Sequence, residues 1–98
     1  MSARQKILNL MFEQVEKWWY GLEIREATRL PAGEIYAVLA RLEQQRIVES
    51  RWEENTTPGQ LRRRLYRLTR DGRRIAQEEL EKVTRLHQHR QRPGFSPA

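Results

Sequence analysis

The densest group of chemically active side chains is a run of arginines in the second half of the chain. Seven of the thirteen residues from 62 to 74 are arginine, beginning with Arg62, Arg63 and Arg64. A guanidinium group offers paired donors to a phosphate or to O6 and N7 of guanine. The alternative interpretation is a solvated edge strand whose charges prevent aggregation. Because aromatic and polar residues are mixed into the cluster, we favour contact of these three arginines with a nucleic acid.

The net charge of the chain is concentrated in the same region. The 98 residues carry a formal charge of +6, yet residues 1–56 hold 8 basic and 9 acidic side chains, whereas residues 57–98 hold 11 and 4. A basic excess confined to one region indicates a polyanionic partner more than general solubility.

A second candidate contact is the start of a predicted helix after Pro31. Small residues there let the backbone approach closely, and the free N–H groups of a first helical turn can bind a phosphate oxygen. We expect Tyr36 to face outward and donate to phosphate or pack on a thymine methyl, although a half-buried aromatic against the hairpin is the alternative. Glu34 would accept from cytosine N4 or pair with an arginine. The residues predicted to contact DNA from this helix are Ala32, Gly33, Glu34, Tyr36, Ala37 and Arg41.

Other kinds of chemistry find little support in the sequence. Without cysteine there is no disulfide, thiolate metal site or Cys nucleophile. His87 and His89 are two residues apart on a predicted helix and face different directions, which makes them a weak metal pair. No Gly-rich phosphate loop is present. We therefore predict no enzyme active site, no metal site and no cofactor.

Localisation is predicted from the same absences. Glu13 and Glu16 interrupt the first apolar run, so it does not form a signal peptide, and no run is long enough to cross a bilayer. The expected compartment is a reducing cytoplasm, with no membrane partner.

The elements that position these residues follow from the hydrophobic periodicity. Spacings of three and four predict helices, and two alternating runs around a Pro-Gly loop predict an antiparallel hairpin. The predicted helices span residues 4–19, 22–30, 34–45 and 70–89, with strands at 47–53 and 61–68. Thr69 is the expected N-cap of the last helix, with Asp71 in its first turn.

This order predicts a mainly α fold with a small β-hairpin, the winged helix-turn-helix. In that arrangement the third helix lies in the major groove and the hairpin is the wing. We expect one domain over residues 1–91 and a disordered tail over residues 92–98, which contain two prolines and a glycine.

The first and last helices carry apolar stripes longer than so small a core requires. Such a stripe usually marks a partner surface, so we predict a homodimer with its recognition helices about 34 Å apart. The residues assigned to this interface are Leu8, Met11, Phe12, Val15, Trp19, Ala76, Leu80, Val83 and Leu86. A small-molecule effector near Trp18 and Trp19 is a further hypothesis, although simple packing of these aromatics is the favoured reading.

Two sequence blocks together resemble a known family. The block YGLEIREATRLPAGEIYAVLARLEQQRIVESRWE, followed by RRRLYRLTRDGRR, resembles the PadR-like family of bacterial transcriptional regulators over residues 20–74. The resemblance implies a DNA-binding winged helix, usually a repressor, that works as a homodimer. It implies that residues 33–43 form the recognition helix and that Tyr36 and the three wing arginines match the family's positions. The single C-terminal helix is similar to the compact subgroup without a separate C-terminal domain.

The sequence departs from the family pattern at three positions. Ala37 stands where the family usually has proline, so we expect a straighter recognition helix. Arg46 replaces the usual helix-ending glycine, which would leave that turn without a left-handed cap. Leu65 stands where tyrosine is common.

Two functional hypotheses follow. The first is a dimeric transcription factor, expected to be a repressor, that binds a near-palindromic operator with helix 34–45 in the major groove and its arginine-rich wing on the backbone or minor groove. The alternative is a protein-interaction module that docks on an acidic partner protein without specific DNA binding.

Overall fold

The computed structural model describes residues 1–54 and 57–90, and for residues 87–90 the backbone alone. Its elements are α1 (Ala3–Glu13), β1 (Trp19–Tyr20), α2 (Gly21–Thr28), α3 (Ala32–Gln44), β2 (Val48–Trp52), β3 (Arg64–Leu68) and α4 (Arg70–Arg90). Three helices, a hairpin and a last helix confirm the predicted winged helix-turn-helix fold. The tail predicted for residues 92–98, with its domain boundary at residue 91, lies outside the described residues.

Helix α1 is shorter than its sequence pattern suggests. Ser2 caps it reciprocally with Gln5: the Ser2 Oγ accepts from the Gln5 backbone N–H at 3.1 Å, and the Ser2 N–H donates to Gln5 Oε1 at 2.8 Å. The helix ends at Glu13, so the prediction of a helix to residue 19 was wrong. Trp18 and Trp19 continue the apolar spacing of the helix in sequence. The pairing of Trp19 with β3 overrides this local helical pattern.

Strand β1 is the element that the sequence did not reveal. Trp19 pairs with Tyr66 and Tyr20 with Leu65, so β3 lies at the centre of a three-stranded antiparallel sheet in the order β1-β3-β2. Trp and Tyr suit a half-buried strand, and an aromatic cross-strand pair stabilises it. The wing therefore has a third strand supporting the hairpin.

One core lies between the helices and the inner face of this sheet. The fully buried side chains are Ile7, Leu8, Met11, Ile24, Ile35, Leu39, Leu42, Val48 and Leu68, with Ala76 of α4 beside them. Arg4 joins α1 to α4 outside the core, because its guanidinium donates to both carboxylate oxygens of Glu79 at 2.7 and 3.1 Å. The core thus packs α3 against the inner face of the sheet.

The end of α3 corrects one prediction. Arg46 itself adopts the left-handed conformation, with φ at 61°, although it is not glycine. The Arg46 N–H donates to the Glu43 carbonyl at 3.0 Å and the Ile47 N–H to the Leu42 carbonyl at 2.9 Å. These two bonds form a Schellman motif, so the left-handed cap expected to be missing is present.

The start of α4 packs tightly against Ile47, the residue before β2. Thr69 caps the helix as predicted, because its Oγ1 accepts from the Gly72 N–H at 2.8 Å and donates to the Arg46 carbonyl at 2.7 Å. Asp71 lies in the first turn. A Cβ on Gly72 would overlap the backbone carbonyl of Ile47, so only glycine allows this approach. The two turns connect the hairpin to the helices that precede and follow it.

Candidate nucleic-acid interface

The outward face of α3 presents the predicted contact residues to solvent. Gly33, Glu34, Tyr36, Ala37 and Arg41 are exposed and Ala32 is partly exposed, whereas Ile35, Leu39 and Leu42 are buried on the opposite side. The helix is regular through Ala37, as expected for a chain without the family's proline there. A face of short side chains with one aromatic and one arginine can approach the base edges of a groove.

The position of Tyr36 bears on the two interpretations that the sequence left open, an outward-facing contact and a half-buried aromatic. Half of its surface is exposed. Its hydroxyl lies over Gly21 at the start of α2, where an added Cβ would overlap it. The ring is therefore held against the start of α2, while its open side remains available to a ligand.

Helix α2 contributes arginines that the sequence reasoning left outside the site. Arg25 and Arg29 are exposed and line a groove of about 760 Å³ beside the α2–α3 turn, together with Leu22 and Pro31. In a helix-turn-helix the first helix crosses the DNA backbone. The sequence signal for this pair was the presence of two arginines four residues apart in the predicted helix 22–30, which places them on one face.

Arg62 differs from the other wing arginines in having no ion-pair partner among the described residues. It is exposed and precedes β3, which begins at Arg64, so the predicted strand over residues 61–68 starts three residues too early. Leu61, beside it, is 92% exposed. This end of the wing offers an unneutralised guanidinium to an anion.

Arg63 is held by β1 and the end of β2. Its guanidinium lies 3.9 Å from the Tyr20 ring centroid and forms an ion pair with Glu53 at 3.0 Å. The Tyr20 hydroxyl also donates to Glu53, at 2.8 Å. Hydrogen bonds from Arg63 and Tyr20 lower the pKa of the Glu53 carboxyl, and the bond to Glu53 raises the pKa of Tyr20. A phosphate would have to compete with this carboxylate for Arg63.

Arg64 is held from the other side, by α3 and β2. Its Nε donates to Ser50 Oγ at 3.0 Å, and its terminal nitrogen lies 3.5 Å from a Glu43 carboxylate oxygen. The guanidinium also lies 5.0 Å from the ring centroid of Trp52. The structure therefore separates the three arginines that the sequence grouped: Arg62 is open, whereas Arg63 and Arg64 already bind carboxylates.

The aromatic residues near β1 are covered by cations of the same chain. Trp18 lies 4.2 Å from the guanidinium of Arg51 and 4.3 Å from that of Arg67, measured to the ring centroid. Lys17 lies 4.0 Å from the ring centroid of Trp19, which is buried. These contacts support packing as the role of both tryptophans.

The residues assigned to a dimer interface fall into two groups. Leu8, Met11, Trp19 and Ala76 are buried in the chain's own core, so they cannot present an apolar surface to a second copy. The remaining five stay at least partly exposed along α1, the following turn and α4: Phe12, Val15, Leu80, Val83 and Leu86. Leu86 is the most open of them, at 63%.

Two further observations concern sites of other kinds. Within residues 1–54 and 57–86, no three His, Cys, Asp or Glu side chains are placed to hold a metal ion. Over the same residues, no helix has both the length and the apolar character that a membrane span requires. The side chains of His87 and His89 lie outside the described ones.

Comparison with known proteins defines the class of this winged helix. Its sequence matches the transcriptional regulator PadR-like family over residues 7–78. The chain therefore belongs to that family, which confirms the resemblance of the sequence blocks and makes it a transcriptional regulator of the winged-helix type. No curated protein sequence matches the chain.

Solved structures show the same fold. A PadR family transcriptional regulator from Eggerthella lenta is 22% identical, with a TM-score of 0.76 over 95% of this chain and 85% of its own. A PadR family transcription regulator from Clostridium difficile is 25% identical, with a TM-score of 0.69 over 88% and 93%. The transcriptional regulator PcaV from Streptomyces coelicolor, solved with its natural ligand, is 23% identical, with a TM-score of 0.75 over 98% of this chain and 64% of its own.

Proposed function

We propose that the protein is a repressor that binds a near-palindromic operator as a homodimer. The observation that carries the proposal is the exposed outward face of α3. Arg25 and Arg29, which precede the turn into α3, and Arg62, which precedes β3, are exposed as well. A helix of this kind reads base edges, while flanking guanidinium groups bind phosphates and set the register.

Each part of the surface has a distinct role in this proposal. The short side chains of Gly33 and Ala37 let α3 approach the major groove, and Tyr36 contacts a thymine methyl or a phosphate. Arg41 reaches the backbone from the same helix. The wing places Arg62 on the adjacent backbone or in the minor groove.

The homodimer is proposed from the apolar residues that the single chain leaves open. Phe12 and Leu80 line a groove of about 380 Å³ between α1 and α4, and Val83 and Leu86 continue the stripe along α4. A second copy packed on this face would bury them, and two-fold symmetry would repeat α3 about one DNA turn away.

Control by a small molecule extends the proposal. PcaV was solved in complex with its natural ligand. An effector near Trp18 and Trp19 would have to displace Lys17, Arg51 or Arg67 from the aromatic rings. An aromatic anion suits this site, because its ring can replace the cation on a tryptophan and its negative charge can pair with the displaced cation. Titration with benzoate as the probe should then change the tryptophan fluorescence and weaken DNA binding together, and a fluorescence change without weaker binding would contradict control through this site.

The test of the proposed function is binding to DNA from upstream of the protein's own gene. A mobility shift with excess non-specific competitor should leave a competitor-resistant band, and footprinting should protect two half-sites related by a dyad. If every band disappears with competitor while the protein binds an acidic partner protein, the winged helix is an interaction module and the proposal fails.

A further inference from the structure

Three side chains join the recognition helix to the wing. Glu43 lies in the last turn of α3, Ser50 in the middle of β2 and Arg64 at the start of β3. The Ser50 hydroxyl donates to the Glu43 carboxylate, with Oε1 at 2.8 Å and Oε2 at 3.0 Å. The same oxygen accepts from Arg64 Nε at 3.0 Å, and Arg64 completes an ion pair with Glu43 at 3.5 Å. We call these residues the Glu43–Ser50–Arg64 network.

The placement of the network matters more than its strength. The side chains of Arg64 and Glu43 are 37% and 38% exposed, so water screens their ion pair. A screened pair adds little to the free energy of unfolding. However, the network is a connection between side chains of α3 and of both wing strands, the two parts that must contact one stretch of DNA together.

A second ion pair in the same sheet provides a comparison. Arg67 and Glu49 face each other across β3 and β2, with nitrogen and oxygen 2.9 Å apart and side-chain exposures of 31% and 42%. The Arg67–Glu49 pair consists of the same two residue types as the Arg64–Glu43 pair, and its side chains are exposed to a similar extent. The difference is that the Arg67–Glu49 pair joins two strands that already pair through their backbones, and so leaves the angle between helix and wing unaffected.

We propose that Glu43 is a positioning residue for DNA recognition, which rests on the proposed function. Through Ser50 and Arg64 it holds the wing at the angle at which Arg62 and the face of α3 contact DNA simultaneously. Arg64 is then part of the framework and not a phosphate contact. This role of Glu43 affects specific binding, because non-specific binding needs only positive charge near the DNA backbone.

Replacing the carboxylate distinguishes this role from direct contact by Arg64. Glu43→Gln removes one negative charge and weakens the hold on Arg64. If Arg64 were a phosphate contact restrained by Glu43, its release would strengthen binding to the operator and to random DNA alike, because a phosphate contact carries no sequence information. If Glu43 positions the wing, the same change weakens operator binding relative to random DNA. The ratio of the two affinities therefore stays the same under the first mechanism and falls under the second.

The experiment measures the ratio of the two dissociation constants, for random DNA and for a duplex selected from a random library by the wild-type protein. The matched control is Glu49→Gln, which makes the same chemical change in the Arg67–Glu49 pair. We expect Glu43→Gln to lower the ratio about tenfold, as for a lost charged hydrogen bond, and Glu49→Gln to leave it near the wild-type value. Thermal unfolding should be similar for both variants.

Several outcomes would overturn the inference. An equal ratio for the two variants contradicts a positioning role of Glu43, and an unchanged ratio with tighter binding of Glu43→Gln to both duplexes makes Arg64 a phosphate contact. If Glu43→Gln does not fold, Ser50→Ala decides, since it keeps both charges and removes the bridging hydroxyl; an unchanged ratio there contradicts the network. Failure of the wild-type protein to select any sequence would instead contradict the proposed function.

Discussion

The guanidinium groups of the wing differ in what they already contact. Arg62 has no carboxylate partner among the described residues, whereas Arg63 binds Glu53 and Arg64 binds Glu43. Neighbours in sequence therefore do not contribute equally to a phosphate contact. The sequence shows how many arginines the wing carries. The carboxylates that neutralise them belong to Glu43 at the end of α3 and to Glu53, the residue after β2.

The first prediction concerns the salt dependence of DNA binding. Arg62→Ala should reduce the slope of log K against log salt concentration by about one unit, because one phosphate contact is lost. Arg63→Ala should reduce it by less, because Glu53 already neutralises Arg63. Equilibrium binding between low and physiological salt measures both slopes, and equal reductions would contradict the assignment.

The second prediction uses the contact of Tyr36 with Gly21. Gly21→Ala would push the Tyr36 hydroxyl from its place, at little cost in stability because the displaced group is the far end of a side chain. Operator affinity should fall with the melting temperature unchanged or slightly higher. In a Tyr36→Ala background the substitution should have no further effect on affinity; an equal loss there would show that Gly21 acts by another route.

The third prediction concerns the left-handed residue after α3. Arg46→Gly should raise the free energy of unfolding by about 1 kcal/mol, because a side chain is disfavoured at this φ and glycine is not. Arg46→Ala is the control, since it removes the charge and keeps the strain. Chemical denaturation should place Arg46→Ala near the wild type; equal stabilisation by both would assign the effect to charge.

At the scale of elements, α2, α3, the hairpin and α4 could be predicted because their signals are local. Apolar spacing, the Pro31 break and the Thr69 cap all lie within the elements they define. Strand β1 could not, because two residues become a strand only through a partner about half the chain away in sequence. The early end of α1 was missed for the same reason.

The fourth prediction tests the packing of α4 against the backbone of Ile47, before β2. Gly72→Ala should destabilise the protein by about 1–3 kcal/mol, because its Cβ would overlap the Ile47 carbonyl and backbone would have to shift. Gly33→Ala is a matched control in the first turn of α3, where an added Cβ meets nothing within 4 Å. Thermal unfolding distinguishes the two variants. Similar melting temperatures would show that the backbone around Gly72 and Ile47 shifts at little cost in free energy.

At the scale of the whole molecule, the sequence identified the end helices as apolar but not which residues remain open. Leu8, Met11, Trp19 and Ala76 complete the core of the single chain, and the outer residues of α4 are left. Periodicity marks an apolar face, but only packing shows how much of that face the chain itself covers. Similarly, the sequence placed the proposed DNA-contacting residues on the outer face of α3 without showing that Tyr36 rests on α2.

The fifth prediction tests the proposed homodimer. Replacing both Val83 and Leu86 with serine should raise the dimer dissociation constant by at least about a hundredfold, because each side chain loses roughly 1.5–3 kcal/mol of apolar burial. The control replaces Lys82 and Arg85, which are exposed on α4, with serine. Sedimentation equilibrium measures both, and an unchanged constant in the first variant would exclude this face as the interface.

The distant pairing of β1 with β3 also has a consequence for the order of folding. Trp19 and Tyr66, which pair in the sheet, are separated by about half the chain, whereas β2 and β3 are neighbours in sequence. Closing the longer loop costs more chain entropy, so the hairpin can form before β1 joins it. During synthesis the N-terminal aromatics must wait for β3 to leave the ribosome, and the wing becomes complete only as the last helix is being made.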